Sequence, residues 1–347
     1  MRTVLALLAS LTATLLLVEL GAIALVRGGT VSAPRPHHGE TGFWWHHHPE
    51  FGAWHHPDTE GDHNGPCYKA RYEINAVGAR DVDRPERAPG RRVVVLGDSF
   101  LEGYGLDADS RFSDMLEVRT GVPHLNFAMA SFGPYQQLLV YRSIAKKFDH
   151  DAVIVSLFPG NDFADMDPAE CQTLGDPDYC FRPFPVLGDA GLAGEHRREP
   201  RLRSVLRQHS QAWNLIAGLL RARSQEASEL RSGFYDFDPG QVDVLEAVLD
   251  AFVAEAEGRP VIVLLIAKQT DLGFRRERGP DPLSARLEAF AAPRPLTIVN
   301  LLPGMAARSP GSWDDFYLSC DFHWNRYGNR VATDLFLEAL PDWAERP

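Results

Sequence analysis

From Arg91 to the C-terminus the sequence alternates between short apolar runs and longer amphipathic stretches, and this alternation restricts the possible folds more than any other feature. The runs are rich in β-branched residues and apolar on both faces, which is typical of a parallel sheet covered by helices on both sides. Strands are predicted at 93–96, 124–127, 152–158, 261–267 and 297–300. Helices are predicted at about 110–120, 134–148, 241–257, 283–290 and 326–340. We therefore predict an α/β fold with a doubly wound, flavodoxin-like parallel sheet of about five strands.

The stretch 163–240 interrupts this alternation directly after the third strand. It holds Cys171, Cys180, many prolines and one predicted helix near 211–223. Ligands bind at the carboxyl ends of the strands in such sheets, so an insertion here would overhang the active edge. It is predicted to be a cap or lid, with a purely structural role as the alternative.

Residues 1–30 are predicted to form a signal anchor or a signal peptide. The almost continuously apolar run from Val4 to Val26 is long enough to cross a membrane, and Ala22-Ile23-Ala24 is a weak cleavage site. An uncleaved anchor is favoured, with Glu19 close to the lipid headgroups. We expect the rest of the chain to lie outside the cytoplasm.

Cysteine usage agrees with export, because the four cysteines include no CxxC pair and no zinc-ligand spacing. Four cysteines permit two disulfides, and Cys171 and Cys180 are predicted to be bridged within the insertion. Four buried free thiols in a reducing compartment are the alternative.

Residues 31–90 are predicted to be an irregular lead-in with a short hairpin. The histidines of this segment, His46, His47, His48, His55, His56 and His63, raise a metal hypothesis. Adjacent histidines rarely point at one ion, so a solvated, aromatic-rich loop without metal is favoured. The net charge of −12 offers no basic stripe for a nucleic acid, and that class of partner is excluded.

Four signals appear in one order along the chain, each just past a predicted strand or just before the last helix. Ser99 lies in Gly97-Asp98-Ser99-Phe100-Leu101-Glu102-Gly103, directly after the first strand. Gly133 follows the second strand and Asn161 the third, while Asp321 and His323 precede the last helix. The GxGxxG, GxxxxGK[ST] and GxSxG motifs are not found after the first strand. Each signal alone fits an ordinary turn, but their order and placement together indicate a serine nucleophile with a histidine base.

This set of residues resembles the SGNH hydrolase family, which is named for the Ser, Gly, Asn and His of four sequence blocks. The resemblance covers roughly residues 91–345. It implies that Ser99 is the nucleophile, that His323 is the base, and that the Ser99 amide, Gly133 and Asn161 form the oxyanion hole. Many members place the acid three residues before the histidine, but here Cys320 occupies that position.

Asp321, two residues before His323, is assigned as the acid, in a spacing similar to that of exopolysaccharide O-acetyltransferases and esterases. Asp315 and a backbone carbonyl remain alternatives.

The resemblance implies a domain over 91–347 that cleaves small O-acyl esters through an acyl-enzyme on Ser99, with O-acetyl groups on a carbohydrate as the expected substrate. No metal or organic cofactor is expected. The expected partners are an acylated small molecule or carbohydrate and, through the N-terminal helix, a membrane. An O-acyltransferase acting on a polysaccharide and a non-catalytic carbohydrate-binding or assembly protein are the alternatives.

Overall fold

The structure, a computed structural model, describes residues 2–28, 45–173, 180–189, 191–198, 200–218, 231–308 and 313–345. The chain divides into two compact units. The smaller unit combines Met1–Gly39 with Arg198–Ala227, and the larger combines Glu40–Arg197 with Ser228–Pro347. Each unit is described below by itself.

The larger unit is built on a five-stranded parallel sheet, which confirms the predicted fold class. Its strands are β5 (Val93–Leu96), β6 (His124–Asn126), β7 (Ala152–Leu157), β10 (Val261–Leu265) and β11 (Leu296–Asn300). They are ordered β6-β5-β7-β10-β11, and every neighbouring pair is parallel. β6 pairs with one side of β5, and the chain then crosses over so that β7 pairs with the other side of β5. This is the flavodoxin-like order, with its topological switch beside β5.

Helices connect and cover the strands of this sheet. They are α2 (Ser99–Glu102), α3 (Phe112–Thr120), α4 (Pro134–Ser143), α5 (Asp162–Met166), α6 (Glu170–Thr173), α9 (Pro239–Glu255), α10 (Gln269–Arg278), α11 (Pro282–Ala291), α12 (Leu302–Arg308) and α13 (Arg326–Ala339). The helix predicted at 134–148 is shorter, because Ile144 leaves the helical region and a 3₁₀ turn, Ala145–Lys147, follows. Sequence periodicity did not predict α10 and α12.

The core lies on both faces of the central strands. Every residue of β5, β7 and β10 is buried, as expected for a sheet covered on both sides. Burying one Val, Leu or Ile side chain contributes roughly 1.5–3 kcal/mol to the free energy of unfolding. The side chains of these strands therefore contribute much of the stability of the larger unit.

The described part of the lead-in forms two antiparallel hairpins. One pairs β1 (His46–His48) with β2 (Gly52–Trp54), and the other pairs β3 (Thr59–Asn64) with β4 (Lys69–Ile74). The lead-in is therefore more regular than the sequence indicated. Residues 31–44 lie outside the described part.

His55 corrects the expectation of a solvated histidine loop. Its side chain is fully buried, with Nε2 2.8 Å from Glu102 Oε1 and Nδ1 2.9 Å from the carbonyl oxygen of Gly78. Both ring nitrogens are thus within hydrogen-bonding distance of an oxygen atom. The physical reason for its burial is that Glu102, itself fully buried, requires a hydrogen-bond partner.

The insertion is shared between the two units. Its hairpin, β8 (Pro183–Gly188) and β9 (Gly191–His196), belongs to the larger unit, together with α5 and α6. Two helices, α7 (Arg201–His209) and α8 (described over 211–218), belong to the smaller unit with α1 (Arg2–Arg27). Residues 219–223 of the predicted helix lie outside the described part. Among the described residues, α1 is the one helix long and apolar enough to cross a membrane.

All four cysteines are paired. Cys171 and Cys180 form a disulfide, which confirms the predicted bridge. Cys67 and Cys320 form a second one, whose Cα atoms are 5.7 Å apart although the residues are 253 positions apart in sequence. The second bridge connects the lead-in to the loop before α13.

We predict that the two bridges contribute unequally to stability. A cross-link that closes a longer loop removes more entropy from the unfolded chain. Replacing Cys67 and Cys320 with Ala should lower the free energy of unfolding by about 5 kcal/mol, and replacing Cys171 and Cys180 by about 2–3 kcal/mol. Urea unfolding of the full chain in detergent measures both values. Equal losses, or a larger loss from the short loop, would contradict the prediction.

Candidate active site

Ser99 is positioned by a tight turn at the end of β5. Gly97 leaves no room for a side chain, because a Cβ there would lie 2.7 Å from Leu101 Cβ and 2.9 Å from Ser156 Oγ. Asp98 caps the following helix by accepting a hydrogen bond from the Phe100 N–H at 3.0 Å. Ser99 is thus the first residue of α2, partly exposed at the edge of the sheet where parallel strands present their carboxyl ends.

His323 lies between Ser99 and Asp321. Its Nε2 is 2.7 Å from Ser99 Oγ, and its Nδ1 is 2.5 Å from Asp321 Oδ1. A carboxylate can only accept, so the proton of a neutral His323 is on Nδ1 and Nε2 is free to accept the serine proton. The structure therefore brings together three of the residues selected from the sequence, in the order required for general-base activation of a hydroxyl.

The two-residue spacing between acid and base has a local explanation. Asp321 Oδ1 also accepts the backbone N–H of His323 at 3.1 Å, which is the turn that Asp side chains commonly form with the residue two positions on. The same carboxylate oxygen therefore holds the backbone and the ring of His323. Asp315 instead is exposed, and its backbone carbonyl accepts the side-chain amide of Asn325 at 2.7 Å.

Gly133 and Asn161 begin helices on either side of Ser99. Gly133 is the N-cap of α4 after β6, and Asn161 is the N-cap of α5 after β7. Both strands pair with β5, so the three residues lie at the same edge of the sheet. A Cβ at Gly133 would be 3.3 Å from Asp165 Cβ, so the neighbouring helix α5 would have to shift by a few tenths of an ångström. Helix N-termini and an Asn side chain offer donors to a developing oxyanion.

Arg182, which no sequence pattern marked as a site residue, connects these loops. It comes from the insertion, is fully buried, and donates to Asp165 Oδ1 at 2.6 Å and to the Asp165 carbonyl oxygen at 3.0 Å. It also donates to the carbonyl oxygen of Ser131, which adopts a left-handed conformation with φ of 64°. One guanidinium thus connects the loop before Gly133 to the helix after Asn161.

Aromatic rings enclose the imidazole of His323. The ring of Tyr104 stacks on it with centroids 4.4 Å apart, and Phe322 contacts it at the same distance. Burial raises the pKa of Tyr104, so it remains a neutral phenol. Burial also lowers the pKa of the nearby His63 to about 4, which keeps that imidazole uncharged at neutral pH. Neither neighbour therefore places a competing charge beside His323.

A recess opens beside Asn161. The residues that line it come from the end of β7, the insertion and the start of α9: Pro159, Gly160, Asn161, Phe163, Ala164, Glu170, Arg231, Gly233, Asp236, Phe237 and Gln241. Its lining combines two aromatic rings with charged and amide groups. Within it, Gln241 donates to Glu170 at 2.8 Å.

No protein-family model and no curated protein matches the chain. Among solved structures, it is similar to the lipase/acylhydrolase from Enterococcus faecalis, at 14% identity and a TM-score of 0.41 over 72% of this chain and 95% of that one. It is also similar to a member of the lipolytic protein G-D-S-L family from Veillonella parvula, at 13% identity and a TM-score of 0.40 over 73% of this chain and 99% of that one. A third similar structure is a carbohydrate esterase family 2 enzyme from Corynascus thermopiles (Myceliophthora fergusii), at 12% identity and a TM-score of 0.41 over 76% of this chain and 68% of that one. Similarity at this level assigns no activity to the chain.

We predict that Asp98→Asn stabilises the protein at high pH. Burial raises the pKa of Asp98 to about 6, and its Oδ2 accepts no hydrogen bond from the part of the chain that the structure describes. The raised pKa means that stability is lost as pH rises through about 6, and an amide avoids this loss while its oxygen still caps α2. The free energy of unfolding should rise by about 1–3 kcal/mol at pH 8 and stay unchanged at pH 4.

Urea unfolding at the two pH values measures this difference. Asp342→Asn, at an exposed position, is the matched control and should change stability by less than about 0.5 kcal/mol at either pH. A gain for Asp98→Asn of equal size at pH 4 and pH 8 would contradict the role of the buried charge.

Proposed function

We propose that this protein is a serine esterase of the SGNH kind that cleaves small O-acyl esters through an acyl-enzyme on Ser99. The observation that carries the proposal is the 2.7 Å contact between Ser99 Oγ and His323 Nε2, with Asp321 2.5 Å from the opposite ring nitrogen. A serine hydroxyl is a weak nucleophile by itself, and a histidine oriented in this way is what activates it.

In the proposed reaction, Ser99 Oγ attacks the ester carbonyl while His323 Nε2 takes the hydroxyl proton. The oxyanion is held by the N–H groups of Ser99 and Gly133 and by the side chain of Asn161. His323 then protonates the departing alcohol, and Asp321 stabilises the imidazolium in between. Water, activated by the same histidine, releases the acid and restores Ser99.

The recess beside Asn161 supports a carbohydrate as the alcohol part of the substrate. Its polar groups can bond hydroxyls and its aromatic rings, Phe163 and Phe237, can pack against the apolar face of a sugar. Because residues 163–237 supply much of the lining, we propose that the insertion acts as the cap that selects the substrate. O-acetyl groups on a carbohydrate are the proposed substrate class.

We predict that Ser99→Ala and His323→Ala remove nearly all turnover of an acetyl ester, because each deletes a group that takes part in bond making. Asn161→Ala should lower kcat about 10²–10³-fold through the loss of one oxyanion donor. Asp321→Asn should have an intermediate effect, since the carboxylate orients and stabilises the base without reacting. Steady-state kinetics with p-nitrophenyl acetate measures all four.

Asp315→Asn is the matched control for Asp321→Asn and should retain full kcat/KM. If Asp321→Asn retained full kcat/KM while Asp315→Asn lost activity, the assignment of Asp321 as the acid would be wrong. Assays with longer p-nitrophenyl esters and with an O-acetylated polysaccharide define the acyl and alcohol preferences. Adding an acceptor glycan distinguishes hydrolysis from transfer, because a transferase would move the acetyl group to the glycan and release little free acetate.

We further propose that α1 anchors the protein in a membrane and that the larger unit lies outside the cytoplasm. The apolar length of α1 and the two disulfides support this location. We predict that protease added to intact spheroplasts digests the larger unit, because no membrane shields it. Immunoblotting against the C-terminus is the measurement, and complete protection would contradict this topology.

A further inference from the structure

Glu19 makes contacts that its place in an apolar helix does not explain. Its carboxylate accepts hydrogen bonds from Ser210 Oγ at 2.7 Å, from the Gln211 N–H at 2.6 Å and from the Ala212 N–H at 3.3 Å. These donors form the start of α8, so Glu19 caps a helix that is nearly two hundred positions away in sequence. The carboxylate also carries the negative charge that the N-terminal end of a helix favours.

The capped segment is basic, although the whole chain is acidic. Residues 197–209 contain five arginines and a single acidic residue, in a chain whose net charge is −12. The net charge of the whole chain therefore does not reveal this local cationic segment. It runs through α7 into the turn at Ser210, where Glu19 binds.

The same segment exposes large apolar side chains. Leu202 is 72% exposed, Val205 52%, Ile216 56% and Trp213 37%. In α7, Leu202 and Val205 are three positions apart and so share a face, with Arg203 away from it. A basic helix with an exposed apolar stripe is the pattern of helices that lie in the interface of a bilayer with anionic lipids.

We propose that the described residues of 198–218 form an interfacial membrane-binding element, which Glu19 holds to α1. The occupant of its apolar face is the acyl boundary of the bilayer in which α1 is proposed to be anchored, and Arg198, Arg201 and Arg203 face anionic lipid phosphates. α7 and α8 belong to the same compact unit as α1, which keeps the element next to that bilayer. Glu19 lies eight residues before Arg27, roughly 12 Å along the helix, and so within reach of the headgroup region.

This arrangement gives hydrogen-bond partners to the Glu19 carboxylate and to the first N–H groups of α8, each of which is unfavourable in free energy without a partner. A carboxylate inside an apolar helix is unfavourable unless it is bonded, and the first N–H groups of a helix have no partner within that helix. Bringing them together in the interface offsets both costs. Membrane contact of this kind is independent of the chemistry at Ser99.

Hydrogen–deuterium exchange of the full chain in nanodiscs tests the element. In nanodiscs with about one-third phosphatidylglycerol, amides of 201–218 should exchange at least about tenfold more slowly than in pure phosphatidylcholine. Replacing Arg198, Arg201 and Arg203 with Gln should remove this difference between the lipids. Equal exchange of the unmodified protein in both lipids would overturn the proposal.

Two controls separate the bilayer from other causes. Replacing three exposed arginines of the larger unit, Arg87, Arg119 and Arg330, with Gln should leave the lipid difference intact. Protection that appears only in nanodiscs holding two copies of the chain would identify a protein–protein contact, and it too would overturn the proposal.

The hydrogen bonds between Glu19 and the start of α8 are tested separately, by hydrogen–deuterium exchange of a Glu19 variant. Glu19→Leu should speed exchange at the amides of Gln211 and Ala212 by about tenfold or more, because both lose their acceptor. Val18→Leu, one position away in α1, should leave these amides unchanged. If Glu19→Leu left them protected, α8 would not be held to α1 in this way.

Discussion

The hydrogen bond between Ser99 and His323 joins residues 224 positions apart, and the arrangement of the larger unit is what allows it. Ser99 depends on the close turn after β5, where Gly97 packs directly against α2. His323 depends on the loop before α13, which is held by a bridge between Tyr317 and Trp324 and by the disulfide at Cys320. A shift of one ångström in either support would separate the two groups, and catalysis is sensitive to displacements of that size.

Segments outside the sheet provide much of this precision. From the lead-in, His55 pairs with Glu102, whose other oxygen accepts the Ala130 N–H at 2.8 Å in the loop leading to Gly133. From the insertion, Arg182 donates to the carbonyl oxygen of Ser131 in the same loop. Removing either side chain would leave a buried carboxyl group without this partner, so these contacts hold the loop in one conformation. The sheet places the loops, and the two added segments orient them.

The insertion is divided between the two units. Its hairpin, β8 and β9, belongs to the unit that carries Ser99, and the chain then continues at Arg198 into the unit that contains α1. The segment proposed to select the substrate therefore leads directly into the element proposed to bind the bilayer. The net charge of −12 does not reveal the arginines of that element, because it averages over the whole chain.

The sequence by itself determined the strands of the parallel sheet and the residues that follow them at its edge, because two-sided apolar strands and the turns after them are local patterns. It also determined the short disulfide, since nine residues separate Cys171 from Cys180. Only the tertiary structure decided the partners of Cys67, His55, Arg182 and Glu19. Each is paired with a residue distant in sequence, and such pairing depends on burial and loop geometry that no local pattern records.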